Sequence, residues 1–406
     1  MASMLQRYIE RFPESPSLSK AIYELGRTFE MQGRAVEGLL VFRDAIQDFG
    51  DQRMSFGVDE IIESFPSKYD EHYTRLTSTL GFLRKLMDDE VFRDEVMGNR
   101  RKLFDYLSEN PGVDREVRDL FMRNRPFRES LKSGEGPVEE VFSRFHDNFL
   151  HFPSEPPDEI FRSILDKATI GGQRTLELRM QKALVAVGAS ELDINSFSRE
   201  DFKYASPSVM VWMAENIRKS GDLSLEPMAR QALEAVIANY RQDEASQFKA
   251  LMEYGRLELG YGNFEAAQSY LQQARDQYPL DSRIVEAVVL LADAYRVDGK
   301  HEAAIENYER VLRDRKNYGK EVRAEVQYKI GLSFLERGLF QEAHAYFERV
   351  FLAFSGFKEW TARAYLKDAE TLISLGARED AGRTLKDAIK VADIRNSEAF
   401  PEIDTL

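Results

Sequence analysis

Apolar residues recur at three- and four-residue spacing along most of this chain. Positions i, i+3, i+4 and i+7 fall on one face of an α-helix, so the pattern predicts a succession of amphipathic helices. Within it a ladder stands out. In "GRLELGYGNFEAAQSYLQQARDQYP", Gly255, Ala267, Leu271, Ala274 and Pro279 sit at offsets 0, 12, 16, 19 and 24. The ladder returns as Ala292, Ala304, Tyr308 and Val311, then as Gly331, Ala343, Phe347 and Val350. It returns again as Ala369, Ala381, Leu385 and Ala388, and near the N-terminus as Gly26, Gly38, Phe42 and Ala45.

A helical hairpin explains the spacing. A first helix buries one stripe, and a "GN", "GK" or "RG" turn stops it because glycine tolerates a left-handed C-cap. The second helix returns, and close approach of the two backbones needs the small residues at offsets 0 and 12. The bulky residue at offset 16 is expected to fill the space between adjacent hairpins, and proline at offset 24 ends the second helix. One hairpin cannot bury both faces, so hairpins stack into a solenoid.

The segment 206–240 reads as a further hairpin with a longer turn; Ser206-Pro207 marks a helix start, and Ala229 and Leu233 take the small and bulky places. "MLQRYIERFP" reads as the second helix of a repeat, with Leu5 and Tyr8 inward and Pro13 ending it. Its first helix is missing, so the chain is expected to be a piece of a longer protein with any export signal upstream. Residues 51–205 keep helical spacing but lose the ladder. Breaks are expected at Asn110-Pro111-Gly112, 133–137 and 152–159, with Asp158 as an N-cap and a later helix beginning near Gln173. No alternating β-branched runs argue for a sheet there, and divergent hairpins continuing the superhelix are expected.

These ladders resemble the tetratricopeptide repeat family, whose unit is about 34 residues with small, aromatic and proline positions in this order. Successive ladders from Gly255 are 37, 39 and 38 residues apart, so the units here are slightly long. Lys316 replaces the proline in the second ladder, and Asp368 takes a place that is usually apolar, which suggests a capping last repeat. The resemblance implies an all-α, right-handed α-solenoid of stacked antiparallel helix pairs. The expected divisions are 1–50 (a half repeat and an N-terminal repeat), 51–205 (divergent hairpins), 206–394 (an array of about five repeats) and a tail at 395–406.

In that family the first helices line a concave face that takes peptides or partner helices. The matching positions are Lys20, Tyr23, Arg27 and Glu30, then Met252, Arg256, Leu259, Val289, Asp293, Arg296, Tyr328, Leu332, Leu366 and Glu370. The carboxylate clamp of chaperone-tail binders is broken: its places hold Met252, Arg256, Leu290, Glu325 and Lys329. The stretch "RYIERFPESPSLSKAIYELGRTFEMQG" resembles the bacterial envelope group, which includes outer-membrane assembly lipoproteins and coordinators associated with Tol–Pal.

Composition narrows the chemistry. A formal charge of −14 disfavours nucleic acid and anionic lipid. No apolar stretch is long enough to span a membrane. Cysteine is absent, which excludes disulfides, zinc ribbons and thiol catalysis, and fits an oxidising envelope compartment. The first residues are not a secretory signal. Gly260-Tyr261-Gly262 and Gly171-Gly172 lack the preceding strand of a phosphate loop. His146 and His151 lack the four-residue spacing of a zinc pair; with His72 they suggest no site, and His301 and His344 are expected at the surface. Arginines between Arg93 and Lys132 are interleaved with acids and read as solvated helix faces.

The leading expectation is therefore a non-enzymatic scaffold that binds a protein or peptide, without cofactors or nucleic acid, with a homo-oligomer possible. A peptide-sensing or regulatory module of a larger protein is the alternative. A periplasmic or envelope location is favoured if an export signal was removed, and a cytoplasmic one otherwise.

Overall fold

The computed structural model describes residues 1–13, 15, 17–32, 34–132, 157–314, 318–391, 397–399, 401 and 403. Among them are twenty α-helices, two short 3-10 turns and no strand. His146, His151, Lys316 and the 133–137 break lie outside the described residues. The chain forms two compact units, Met1–Gly221 and Asp222–Leu406.

The C-terminal unit carries the array. Its helices are α12 (Glu226–Asn239), α13 (Glu244–Gly260), α14 (Phe264–Gln277), α15 (Ile284–Val297), α16 (His301–Arg313), α17 (Lys320–Glu336), α18 (Phe340–Ala353), α19 (Lys358–Ser374) and α20 (Arg378–Lys390). Each packs against its neighbours in sequence. The apolar clusters show why the pairs stack. Each bridges a pair and the first helix of the next: Phe248 and Leu271 with Leu291, Ala292 and Tyr308 with Ile330, Tyr328 and Phe347 with Ala364. None of these three clusters is confined to one pair, as stacking in a solenoid requires.

The turns repeat to the atom. Gly262, Gly299, Gly338 and Gly376 all have φ between 74° and 82°. In the first, the Asn263 amide donates to the Glu258 carbonyl at 2.9 Å and the Gly262 amide to Leu259 at 3.1 Å. This is the paired C-terminal motif that satisfies a helix's last carbonyls, and only glycine adopts its left-handed residue without strain. The same two bonds recur at 299–300, 338–339 and 376–377.

The small-residue ladder has a sharper cause than the sequence suggested. A Cβ on Gly255 would lie 2.6 Å from Leu271, and one on Gly331 would lie 2.6 Å from the Phe347 ring. The bulky residue at offset 16 thus seats over the small residue at offset 0 of its own hairpin, as well as reaching the next one. Offset 12 governs backbone approach as expected: a Cβ on Gly38 would meet the Gly26 carbonyl at 3.0 Å.

The N-terminal unit contains α1 (Ala2–Arg11), α2 (Leu18–Met31), α3 (Ala35–Phe49), α4 (Phe56–Asp88), α5 (Glu90–Gly98), α6 (Arg100–Glu109), α7 (Arg115–Arg123), α8 (Arg125–Lys132), α9 (Pro157–Gly171), α10 (Arg174–Ala186) and α11 (Pro207–Ser220). Helix α4 runs 33 residues through Pro66 and serves two cores. Val58, Ile61 and Phe65 pack with α2, α3, α9 and α10, whereas Leu80, Phe82, Leu83 and Leu86 pack with α5 to α8. The divergent region is helical, but α5 to α8 are eight to ten residues long and gather on one end of α4. They do not form repeat-length hairpins.

The helix starts follow local chemistry. Ser206 accepts from the Val209 amide at 3.4 Å and caps α11. Helix α10 begins at Arg174 with Gln173 as its cap residue. Helix α9 begins at Pro157, which suits a first-turn position lacking an amide hydrogen. Asp158 therefore lies inside the first turn and opposes the positive helix end, rather than capping it.

Arg179 has a fully buried side chain and fastens the N-terminal core. Its guanidinium meets Asp59 at 3.1 and 3.2 Å, and donates to the carbonyls of Gly50, Gln52 and Ser55. Three of the arginines between 93 and 132 are also structural, whereas Arg100, Arg101, Arg115, Arg123 and Arg125 lie exposed on helix faces. Arg118 donates to Leu107, Arg128 to Phe121 at 2.6 Å, and Arg93 to Leu86 at 3.4 Å. Each covers carbonyls in the last turn of a preceding helix, where no intrahelical donor remains.

Candidate interaction groove

Helices α13, α15 and α17 are the first helices of successive pairs, and a cavity of about 520 Å³ opens along them. Val285, Val289, Leu290 and Val322 give it an apolar wall. Arg256, Arg283, Glu286, Asp293, Glu325 and Lys329 supply three positive and three negative charges at its margin. These charges are paired. Arg256 bridges Glu253 at 3.3 Å and also Glu286; Lys329 holds Asp293 at 2.7 Å and Glu325 at 2.6 Å. Arg283 pairs with Asp281 at 2.7 Å while its guanidinium covers the Phe248 ring at 4.8 Å. Several bridges join one first helix to the next, so they fix the spacing of the groove as well as its potential.

Of the positions expected to line a groove, Arg256, Val289 and Asp293 meet at this cavity. Arg296 lies further along α15, paired with Glu336 of α17, and Glu370 is held by Lys367 at 2.8 Å. Leu259 and Leu332 are half-buried and pack onto core clusters. Met252 and Leu366 are in the core, at 2% and 4% exposure. Tyr328 is 8% exposed, its ring packed against Phe347 at 5.6 Å and Trp360 at 5.8 Å. In the N-terminal unit, Lys20 and Arg27 are exposed. There Lys68 pairs with Glu30 at 3.4 Å and lies over the Tyr23 ring at 4.9 Å. The wall residues Val285 and Val322 and the charges Arg283, Glu286, Glu325 and Lys329 complete the cavity. Their signal was available: Glu325 and Lys329 fall four apart on the α17 stripe.

Beneath the groove, Asp293 also accepts from the Tyr308 hydroxyl. Burial and this carboxylate push the tyrosine well above its usual range. His301 and His344 are partly buried, with 18% and 34% of their side chains exposed. His301 faces Glu336 at 3.6 Å, and the His344 Nδ1 meets Asp368 at 2.6 Å. Second-helix faces pack against the following first helix, which draws both rings inward. Asp368 is fully buried with its Oδ2 unpaired, and burial raises its carboxyl to about 6. The last pair is covered by the chain beyond it: Ala399 and Ile403 join the α19–α20 core, and Glu398 reaches Arg363 at 3.2 Å. Ala399 and Ile403, within the expected tail at 395–406, are buried, and Glu398 is exposed.

Among the described residues no cluster of three carboxylates or histidines could hold a metal, and no helix is long and apolar enough to cross a membrane.

Comparison with known proteins finds a family match over one part of the chain. Residues 284–351, α15 to α18, match the tetratricopeptide repeat family. No curated protein matches the chain. Among solved structures, that of MamA protein is 21% identical, with 47% of this chain and 93% of that one covered and a TM-score of 0.36. The P58(IPK) TPR domain is 14% identical, with 100% and 92% covered and a TM-score of 0.26. At these scores neither likeness bears on function. The helix pairs and their repeated glycine turns make this a helical repeat protein whose residues 284–351 match the tetratricopeptide repeat family.

Proposed function

We propose that the protein is a non-enzymatic interaction scaffold that takes a polypeptide segment in the groove of α13, α15 and α17. The observation that carries this reading is the pairing of an apolar wall with charges that already neutralise one another. Such a strip suits an aliphatic side chain flanked by main chain or mixed charge, the usual ligand of a helix-lined groove. The test is a selection of short displayed peptides against the full chain, followed by calorimetric titration of synthetic copies. Val289→Asp places a charge on the wall and is expected to weaken binding at least about tenfold, or about 1.4 kcal/mol. Leu280→Asp, on a side chain 97% exposed and outside the cavity, should leave it unchanged. Equal binding by the two variants refutes the groove reading.

A bacterial envelope location is part of the proposal, supported by the absence of cysteine and by the N-terminal stretch. Cell fractionation tests it: recovery of the native protein with the cytosol overturns it.

A further inference from the structure

We propose that Tyr328 is a main-chain anchor for the ligand of this groove: its hydroxyl donates to a backbone carbonyl of an extended segment whose aliphatic side chain occupies the cavity. The inference rests on the groove reading and adds the class and direction of the ligand.

The first observation is a hydroxyl that reaches solvent from a buried, rigidly packed ring and has no protein partner among the described residues. A buried tyrosine hydroxyl ordinarily finds a partner. Elsewhere in this unit it does so: Tyr254 donates to Glu234 at 2.9 Å, and Tyr308 to Asp293. Tyr328 is 92% buried, yet its hydroxyl makes no hydrogen bond among the described residues. The ring is fixed between Phe347 and Trp360, so the hydroxyl cannot swing away to seek one. It is not sealed in the core either, and the charges that act on it, Arg296, Glu336, Arg363 and Glu370, come from the first helices.

The second observation is the balance of those charges. Two are guanidinium groups and two are carboxylates. Each is already paired: Arg296 with Glu336, Arg363 with Glu359 at 2.8 Å, and Glu370 with Lys367 at 2.8 Å. A charged ligand group would find no unbalanced opposite charge here. A neutral acceptor such as a peptide carbonyl requires none. Burial lifts the phenol to about 12, so it remains protonated and can donate throughout the physiological range.

The third observation is placement. Glu325, Tyr328, Lys329 and Leu332 form one stripe of α17 at i, i+3, i+4 and i+7. Glu325 and Lys329 belong to the cavity on the α15 side, whereas Tyr328 touches Trp360 on the α19 side. A ligand joining the two sites must cross α17. Neighbouring helices lie about 8–10 Å apart, and an extended chain rises about 3.3 Å per residue, so the crossing takes about three residues. The segment therefore presents an aliphatic residue to Val289 and the anchored carbonyl about three residues away.

The test uses peptides selected on the wild-type chain, synthesised with amidated C-termini, and titrated against wild type, Tyr328→Phe and Val289→Asp. Tyr328→Phe keeps the packed ring and is expected to weaken binding about five- to tenfold. A scan replacing single amides by esters, which weakens one carbonyl acceptor at a time, should find one sensitive position about three residues from the aliphatic anchor. That sensitivity should vanish in Tyr328→Phe. Circular dichroism melts establish that the variant is folded. If Val289→Asp abolishes binding while Tyr328→Phe binds as wild type, the anchor is wrong and the groove stands. If no peptide is retained, or Val289→Asp has no effect, both fail. If only peptides with free C-terminal acids respond to Tyr328→Phe, the ligand group is a carboxylate and the main-chain assignment is overturned.

Discussion

Replacing Asp368 by asparagine should stabilise this protein above pH 6 and do little below pH 4. Asp368 is fully buried on α19, bonded through one oxygen to His344 and unpaired at the other. Burial raises its carboxyl from 3.8 to about 6, with the His344 contact opposing that rise and Glu348 adding to it. Each tenfold change in proton affinity corresponds to about 1.36 kcal/mol, so the charged form costs the folded state about 3 kcal/mol. The sign follows from linkage. A carboxyl raised on folding binds its proton more tightly in the native state, so stability falls as pH climbs from 3.8 through 6. Asparagine is neutral throughout and lacks this loss. Its amide nitrogen still needs a partner in a buried site, which lowers the expected gain to about 1–2 kcal/mol. For a unit of this size that is a rise in Tm of about 2–8 °C at pH 8. Thermal melts by circular dichroism from pH 4 to 8 measure it. A Tm for Asp368→Asn below that of wild type at pH 8 would refute the reasoning, since the carboxylate–histidine contact would then outweigh its desolvation.

Two further substitutions probe packing. Gly331→Ala drives a methyl into the fixed Phe347 ring and should cost about 1–3 kcal/mol. Gly382→Ala, with nothing within 4 Å and a helical setting, should be neutral or stabilising by up to about 1 kcal/mol; urea unfolding that ranks the two alike counts against the hairpin geometry. Arg179→Met strands Asp59 and three carbonyls and should destabilise the N-terminal unit by about 3–5 kcal/mol. Adding Asp59→Asn should recover part of that loss, with hydrogen exchange in α4 and α10 as the readout.

The array was legible because its constraints are local and periodic. A ring at offset 16 needs a gap at offset 0, and a left-handed turn needs glycine; both leave single-residue marks such as Gly331 and Gly338. The middle third obeys no such repeat. There Phe65 and Tyr69 pack with Phe161 and its neighbours, and α4 continues past Pro66 in place of a repeat-length hairpin. Arg93, Arg118 and Arg128 read as solvated like their exposed neighbours because their acceptors are main-chain carbonyls, which sequence does not display. For the groove, the family resemblance named first-helix positions but carried no information on depth along each helix. Met252 and Leu366 share a face with Arg256 and Glu370, and only packing shows that the former pair turns inward.

The shared rod α4 has a mechanical meaning. At 33 residues it is about 50 Å long, and it lends one end to each of two apolar clusters. The two clusters use separate stretches of it, Val58 to Tyr69 and Leu80 to Leu86, joined by one continuous backbone. A force or ligand that tilts Leu83 is transmitted toward Ile62 along hydrogen bonds, and the weakest joint on that route is Pro66, where one of those bonds cannot form.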